Sequence, residues 1–143
     1  MQLGGLDLKL VEQVFAINAV GPIRVTQAVL RRDLLAMPGG KVAHISSKLG
    51  SIASNTATGA NYAYRMSKSA LNAAGKSMAV DLKARGVAVA LLHPGYVATP
   101  MTGDKGDVSA EASARGLYSR IVDDLSLANS GTFFDTDGAP LPW

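Results

Sequence analysis

The 143-residue chain contains no cysteine. That excludes disulfides, thiol nucleophiles and thiolate metal sites, and it suits a reducing, cytoplasmic setting. Aromatic residues are scarce at 6% and the single tryptophan is the last residue, so nothing offers stacked bases a platform. Lysines and arginines outnumber acids by 14 to 11, but they are scattered singly and the net charge of +3 draws no basic stripe. No nucleic-acid partner is expected from such a pattern. No apolar run approaches the ~18 residues that cross a bilayer, so no membrane span is expected. The opening "MQLGGLDLKLVEQ" lacks the basic start, apolar core and cleavage site of a signal peptide. The two histidines stand apart from any carboxylate or cysteine at ligand spacing, and no metal site is expected.

What is present is core-forming. Apolar residues make up 48% of the chain, enough for one domain over residues 1–143. From Leu8 to about Met37, the residues Leu10, Val14, Ile17, Gly21, Val25 and Ala28 recur at steps of three and four. That is one stripe of a long helix, capped by Asp7 and ended by "MPGG". "KVAHIS" at 41–46 reads as a strand buried on both faces, and polar "SNTATGAN" follows as a loop. A second helix runs from Tyr62 to about Lys83, and "VAVALLH" at 87–93 is another buried strand stopped by "PG". Residues 102–108 are rich in Gly and Asp and read as mobile, Ala114, Leu117, Tyr118, Ile121 and Leu125 give a third helical stripe, and "GTFFDTDG" is a short last strand. Strands alternating with helices predict a parallel sheet with helices on its faces, a doubly wound α/β fold.

The chemistry sits in "YAYRMSK" at 62–68. Tyr64 and Lys68 are i and i+4, on one face of a helix. A phenol titrates near 10 and is a poor proton donor or acceptor at neutral pH, but an ammonium a few Å away favours the phenolate. The strand "KVAHIS" leaves Ser46 and Ser47 at its carboxyl end, and the next strand ends in "HPGYVATPM" at the same edge. Ligands of open α/β sheets bind beyond such carboxyl ends. There Pro94 and Gly95 turn the backbone, freeing the following amides and the Thr99 hydroxyl for a polar ligand. A hydroxyl donor, a Tyr/Lys pair and a Pro-Gly loop on one edge suit the polarising and protonating of a carbonyl as hydride arrives. Pro22 lies four residues after Asn18 and cannot donate the helical bond to its carbonyl, which is then available to a water. "GKS" at 75–77 is no phosphate loop, because Ala70 stands where the upstream glycine is needed.

In order, "VFAINAVGPIRVTQAVL", "VAHISSKLGSIA", "YAYRMSKSALN" and "LLHPGYVATPM" resemble the short-chain dehydrogenase/reductase family. "SKLGSIASNTATGANYAYRMSK" and the ending "SGTFFDTDGAPLPW" are similar to its C-factor and sniffer-type carbonyl reductase subgroup. The resemblance implies the C-terminal part of a Rossmann-type sheet, about three strands with flanking helices. It implies an NAD or NADP cofactor and a small carbonyl or alcohol substrate. By the same resemblance Tyr64 is the general acid/base, and Lys68 holds the nicotinamide ribose while lowering the tyrosine's pKa. Ser47 binds the substrate oxygen, and Asn18 supports a water of the proton relay. Pro94, Gly95, Val97 and Thr99 line the nicotinamide carboxamide and pyrophosphate. The family's serine stands about thirteen residues before its tyrosine, whereas Ser47 precedes Tyr64 by 64 − 47 = 17. Ser51 has the usual spacing but falls past the strand end, so Ser51 and Ser46 remain alternates. The family's helices matching 8–37 and 62–85 build an oligomer interface, so a homo-oligomer is expected. The Gly-rich turn, the residue choosing between NAD and NADP, the "NNAG"-like segment and the first four strands of the family have no counterpart in this sequence, so the "KVAHIS" strand is expected to expose an apolar edge. A shortened chain of this kind could also be a binding or signalling protein that keeps the fold's second half.

Overall fold

The computed structural model describes residues 3–56 and 59–143. Met1 and Gln2, in the stretch read as no signal peptide, and Ala57 and Thr58, inside the expected loop, lie outside the described residues. Helix α1 (Leu8–Phe15) passes through a π turn (Ala16–Val20) into α2 (Gly21–Arg31). Asp7 caps it as expected, its carboxylate accepting from the amides of Lys9 and Leu10. The π turn is the helix's answer to Pro22: the Gly21 amide reaches back five residues to the Ala16 carbonyl. The helix ends at Arg31, short of the expected Met37, because Asp33 takes a positive φ of 52° and breaks the repeat.

Strand β1 (Lys41–Ile45), helix α3 (Tyr62–Lys83), strand β2 (Ala88–Leu92), helix α4 (Ala110–Ser119) and strand β3 (Thr132–Phe134) follow. The sheet is parallel throughout, in the order β1-β2-β3, with Ala43 opposite Ala90 and Leu91 opposite Phe133. Odd residues of β2 and its approach, Val87 and Val89, pack against Ala79 and Leu82 of α3 and against Leu30 of α2. Even ones, Ala88, Ala90 and Leu92, pack against Leu117 of α4 and against Ile121 and Leu125 beyond it. The helices therefore cover both faces, and the fold is α/β as the sequence predicts. Since the strands advance in one direction while α3 and α4 take opposite faces, the two crossovers have opposite hands. One of them departs from the right-handed rule.

The strand β1 corrects an expectation. It was expected to be buried on both faces, yet only His44 is buried and Ile45 is 44% exposed. Its far edge pairs with no strand among the described residues and borders an open cleft of about 660 Å³ beside Val25 and Val29 of α2. The segment 102–108 is also different from its reading as mobile. A 3₁₀ turn (Pro100–Thr102) starts it, and Val108 returns to bridge Val97, donating to the Tyr96 carbonyl and accepting from Ala98. Gly106 permits this closure: a Cβ there would run into the backbone of Val97 and Ala98. Phe133 is fully buried and stacks on Trp143 with 5.9 Å between ring centroids, as packing residues should.

Candidate active site

Three elements meet at the carboxyl edge of the sheet. Where β1 ends, the Ser46 amide donates to the Leu92 carbonyl and so holds the ends of β1 and β2 level. The buried Ser46 hydroxyl donates to Asn72 Oδ1 of α3 at 2.5 Å, a tie that leaves it no proton for a substrate. Ser47, next along, is 7% exposed and caps a 3₁₀ turn (Lys48–Gly50), its Oγ accepting from the Leu49 amide at 3.2 Å. Its hydroxyl proton meets no acceptor among the described residues and is available to a ligand. Ser51 is turned into its own loop, donating to Ser54 Oγ at 3.0 Å. Of the three serines, Ser47 alone keeps a free donor at the strand end.

Tyr64 and Lys68 lie in the first turns of α3. The Lys68 ammonium stands 5.7 Å from the centre of the Tyr64 ring and donates to the Ile45 carbonyl at 2.8 Å. The long side chain is thereby anchored to the end of β1 beside the phenol. Burial pushes the Lys68 ammonium below the ordinary lysine range. Gly50 lets the strand-end turn lie against the helix here: a Cβ would come within 2.8 Å of the Lys68 carbonyl carbon. Asn18, in the middle of the π turn, is half-buried, and its amide Nδ2 donates to Ser67 Oγ at 3.1 Å.

The loop after β2 completes the edge. Gly95 holds a φ of 84°, which a side chain would strain. Beyond Pro94, the amides of Gly95, Tyr96 and Val97 find no acceptor among the described residues. The buried Ser113 hydroxyl of α4 fixes the loop by donating to the Pro94 carbonyl at 2.6 Å. Thr99 departs from the sequence reading at its amide. That amide is taken, donating to Thr102 Oγ1 at 3.1 Å in a capping box, while the Thr99 hydroxyl proton meets no acceptor among the described residues.

Sequence reasoning passed over three groups. Ser67 is fully buried, Asn72 holds Ser46, and the Nδ1 atom of His93 is enclosed with no partner among the described residues. Burial lowers the His93 pKa, with Asp135 opposing and Lys48 adding to the effect. The first two are polar residues inside an apolar helical stripe, which is a readable signal, but their partners stand 49 and 26 residues away. A nicotinamide cofactor is the group such an edge suggests. The free amides after Pro94 and the Lys68 ammonium fit its carboxamide and ribose end. For its adenine and pyrophosphate end the sequence supplies no Gly-rich turn.

The model of the short chain dehydrogenase family matches residues 2–110. The C-signal protein of Myxococcus xanthus is 46% identical over 144 residues, a match covering 99% of this chain and 83% of that protein. The carbonyl reductase Sniffer of D. melanogaster superimposes with a TM-score of 0.90 at 33% identity, over 100% of this chain and 61% of that one. An NADPH-bound carbonyl reductase from chicken fatty liver does so with 0.88 at 28% identity, again over 100% and 61%. The chain thus spans about three-fifths of the two solved reductases. A family match over most of the chain, a relative at this identity and a shared fold agree: the chain belongs to the short-chain dehydrogenase/reductase family of oxidoreductases.

Proposed function

We propose that this chain is the catalytic half of an NAD(P)-dependent carbonyl reductase or alcohol dehydrogenase. The Tyr64 hydroxyl gives a proton to the substrate's carbonyl oxygen in reduction and takes it back in alcohol oxidation. Ser47 donates a hydrogen bond to the same oxygen, where negative charge develops. Lys68 holds the ribose hydroxyls and keeps positive charge beside the phenol. Asn18 supports a water that carries the proton onward. Pro94, Gly95, Val97 and Thr99 line the nicotinamide end, with the Thr99 hydroxyl and the free amides contributing donors. When bound, the cofactor supplies or accepts the hydride. A cytoplasmic setting is part of this reading, and so is a second copy of the chain docked on α1, α2 and α3. Met66, Ala73, Ser77 and Val80 form an exposed stripe along α3 at coiled-coil spacing.

One observation carries the reading: Lys68 is fixed at once to the end of β1 and over the Tyr64 ring, on the edge where Ser47 keeps its free proton. The test is titration of NADH and NADPH into the purified chain by fluorescence, followed by turnover of aldehydes and ketones. Micromolar saturable binding is expected, with a Tyr64→Phe variant that still binds and loses at least ~10²-fold in turnover.

A second reading has its own observation. The chain spans 83% of C-signal but only 61% of the solved reductases. It is a binding or signalling protein derived from the reductase fold, with Tyr64 and Lys68 retained without turnover. No binding up to millimolar cofactor, and a biological effect that survives Tyr64→Phe, would establish it instead.

A further inference from the structure

Ser67 is 0% exposed and makes two hydrogen bonds in opposite senses. Its Oγ accepts from Asn18 Nδ2 at 3.1 Å and donates to the Tyr64 carbonyl at 2.8 Å. A hydroxyl has one proton and two lone pairs, so this arrangement uses the proton and turns a lone pair to the neighbouring helix. The bond to the carbonyl three residues back is a serine back-bond, which bends a helix when nothing opposes it. Here something does. The acceptor side of the same hydroxyl is held by an amide from the π turn, the one place in the first helix where the backbone register shifts.

We propose that Ser67 is the positioning residue of the site and that Asn18 acts on Tyr64 through it, by its side chain. The chain of contacts runs from the π turn forced by Pro22, through the Asn18 amide and the Ser67 hydroxyl, to the backbone of Tyr64 itself. It fixes the first turn of α3 against the first helix, while the bonds from Lys68 to Ile45 and from Ser46 to Asn72 fix the same helix against β1. The Tyr64 ring thus sits on a turn clamped from two sides. A shift of about an ångström at the reacting group is enough to cost up to ~10²-fold in rate. This role rests on the reading of Tyr64 as proton donor only for its effect on turnover; the clamp itself does not depend on it.

The experiment compares the parent with Ser67→Ala, Ser67→Thr, Asn18→Leu and the double variant Ser67→Ala/Asn18→Leu. Two readouts are taken: amide hydrogen exchange by residue, and kcat, KM and the pH profile of carbonyl reduction. We expect Ser67→Ala and Asn18→Leu each to speed exchange about tenfold in the first two turns of α3 and to leave β2 unchanged. Each lowers kcat about tenfold with KM little altered and displaces the pH profile. The double variant is no worse than either single one, and Ser67→Thr, which keeps the hydroxyl, restores the parent values. Unchanged exchange in α3 overturns the proposal. So does a loss of protection spread evenly over the chain, since Ser67 would then be only a core residue. If the parent itself shows no turnover, the proposed enzyme activity fails, and the exchange data alone decide for or against the clamp.

Discussion

Strands β1 and β2 carry nearly the same kind of sequence, yet they are held by different forces. All five residues of β2 are buried, between two sheet neighbours and two helical layers. Strand β1 has one neighbour among the described residues and one buried residue, and its carboxyl end is secured by polar bonds with α3: Ser46 donates to Asn72, and Lys68 donates to Ile45. The contrast matters for function. The strand that leads into Ser47 is the weakly packed one, so the geometry of the candidate site depends on the helix that also carries Tyr64.

The largest test of this contrast is truncation on each strand. Leu91→Ala removes a side chain that is 0% exposed and packed on Gly75, and it should cost about 2–5 kcal/mol. Val42→Ala on β1 removes a partly buried side chain and should cost about 1 kcal/mol. Urea midpoints of the two variants measure the gap directly. Equal losses would mean that β1 is packed as tightly as β2, and the contrast would be wrong.

A smaller effect probes the polar hold on β1. Asn72→Ala leaves the buried Ser46 hydroxyl without its acceptor and should cost about 1–3 kcal/mol. It should also loosen exchange at the amide of Ser46, which bonds the Leu92 carbonyl. A change within experimental error would show that apolar contacts alone hold the strand end.

How much of this was legible follows from where each signal resides. The bounds of α3 and the parallel order were readable, because a helix's period and the alternation of element types are local to the chain. The burial of strand β1 on both faces was overread from its run of apolar residues, while its open apolar edge was legible from the strands the sequence does not supply. The fate of the Thr99 amide was not legible, because Thr102 claims it through a turn that only the fold reveals. That Lys68 lies near the end of β1 was legible, because strand ends and helix spacing are local signals. Ser67 was not, since its meaning depends on Asn18, 49 residues earlier.

The histidines of the two strands sharpen the comparison through pH. His44 on β1 and His93 just past β2 both titrate below the ordinary 6.5, His44 by burial and His93 by burial with Lys48 adding and Asp135 opposing. A histidine whose folded pKa is lowered is charged more readily in the unfolded chain. Stability is therefore fully present above about 6.5 and declines as pH falls from there toward the folded value. His44→Gln should flatten the part of that decline that belongs to β1, where the ring's only polar contact among the described residues is the Met78 sulfur at 3.3 Å. Urea midpoints at neutral and mildly acidic pH check this, and an unchanged slope would remove His44 from the account.

The smallest expected change in stability is the most specific test of the open edge. Ile45 is 44% exposed on a strand whose outer edge pairs with nothing among the described residues. Such an edge, apolar and unguarded by charge, invites pairing between chains. Lys41 offers no protection, because its ammonium is bound to the carbonyls of Ile121 and Val122 at 2.9 and 2.8 Å. Ile45→Lys adds a charge at the exposed position and leaves the backbone carbonyl that receives Lys68 in place. Folding stability should move by no more than about 0.5 kcal/mol, as for an exposed substitution. The chain's tendency to associate, read by light scattering over a concentration series, should fall. If association is unchanged while Val80→Lys on the α3 stripe abolishes it, the chains meet through their helices, and the open edge of β1 is exposed without being sticky.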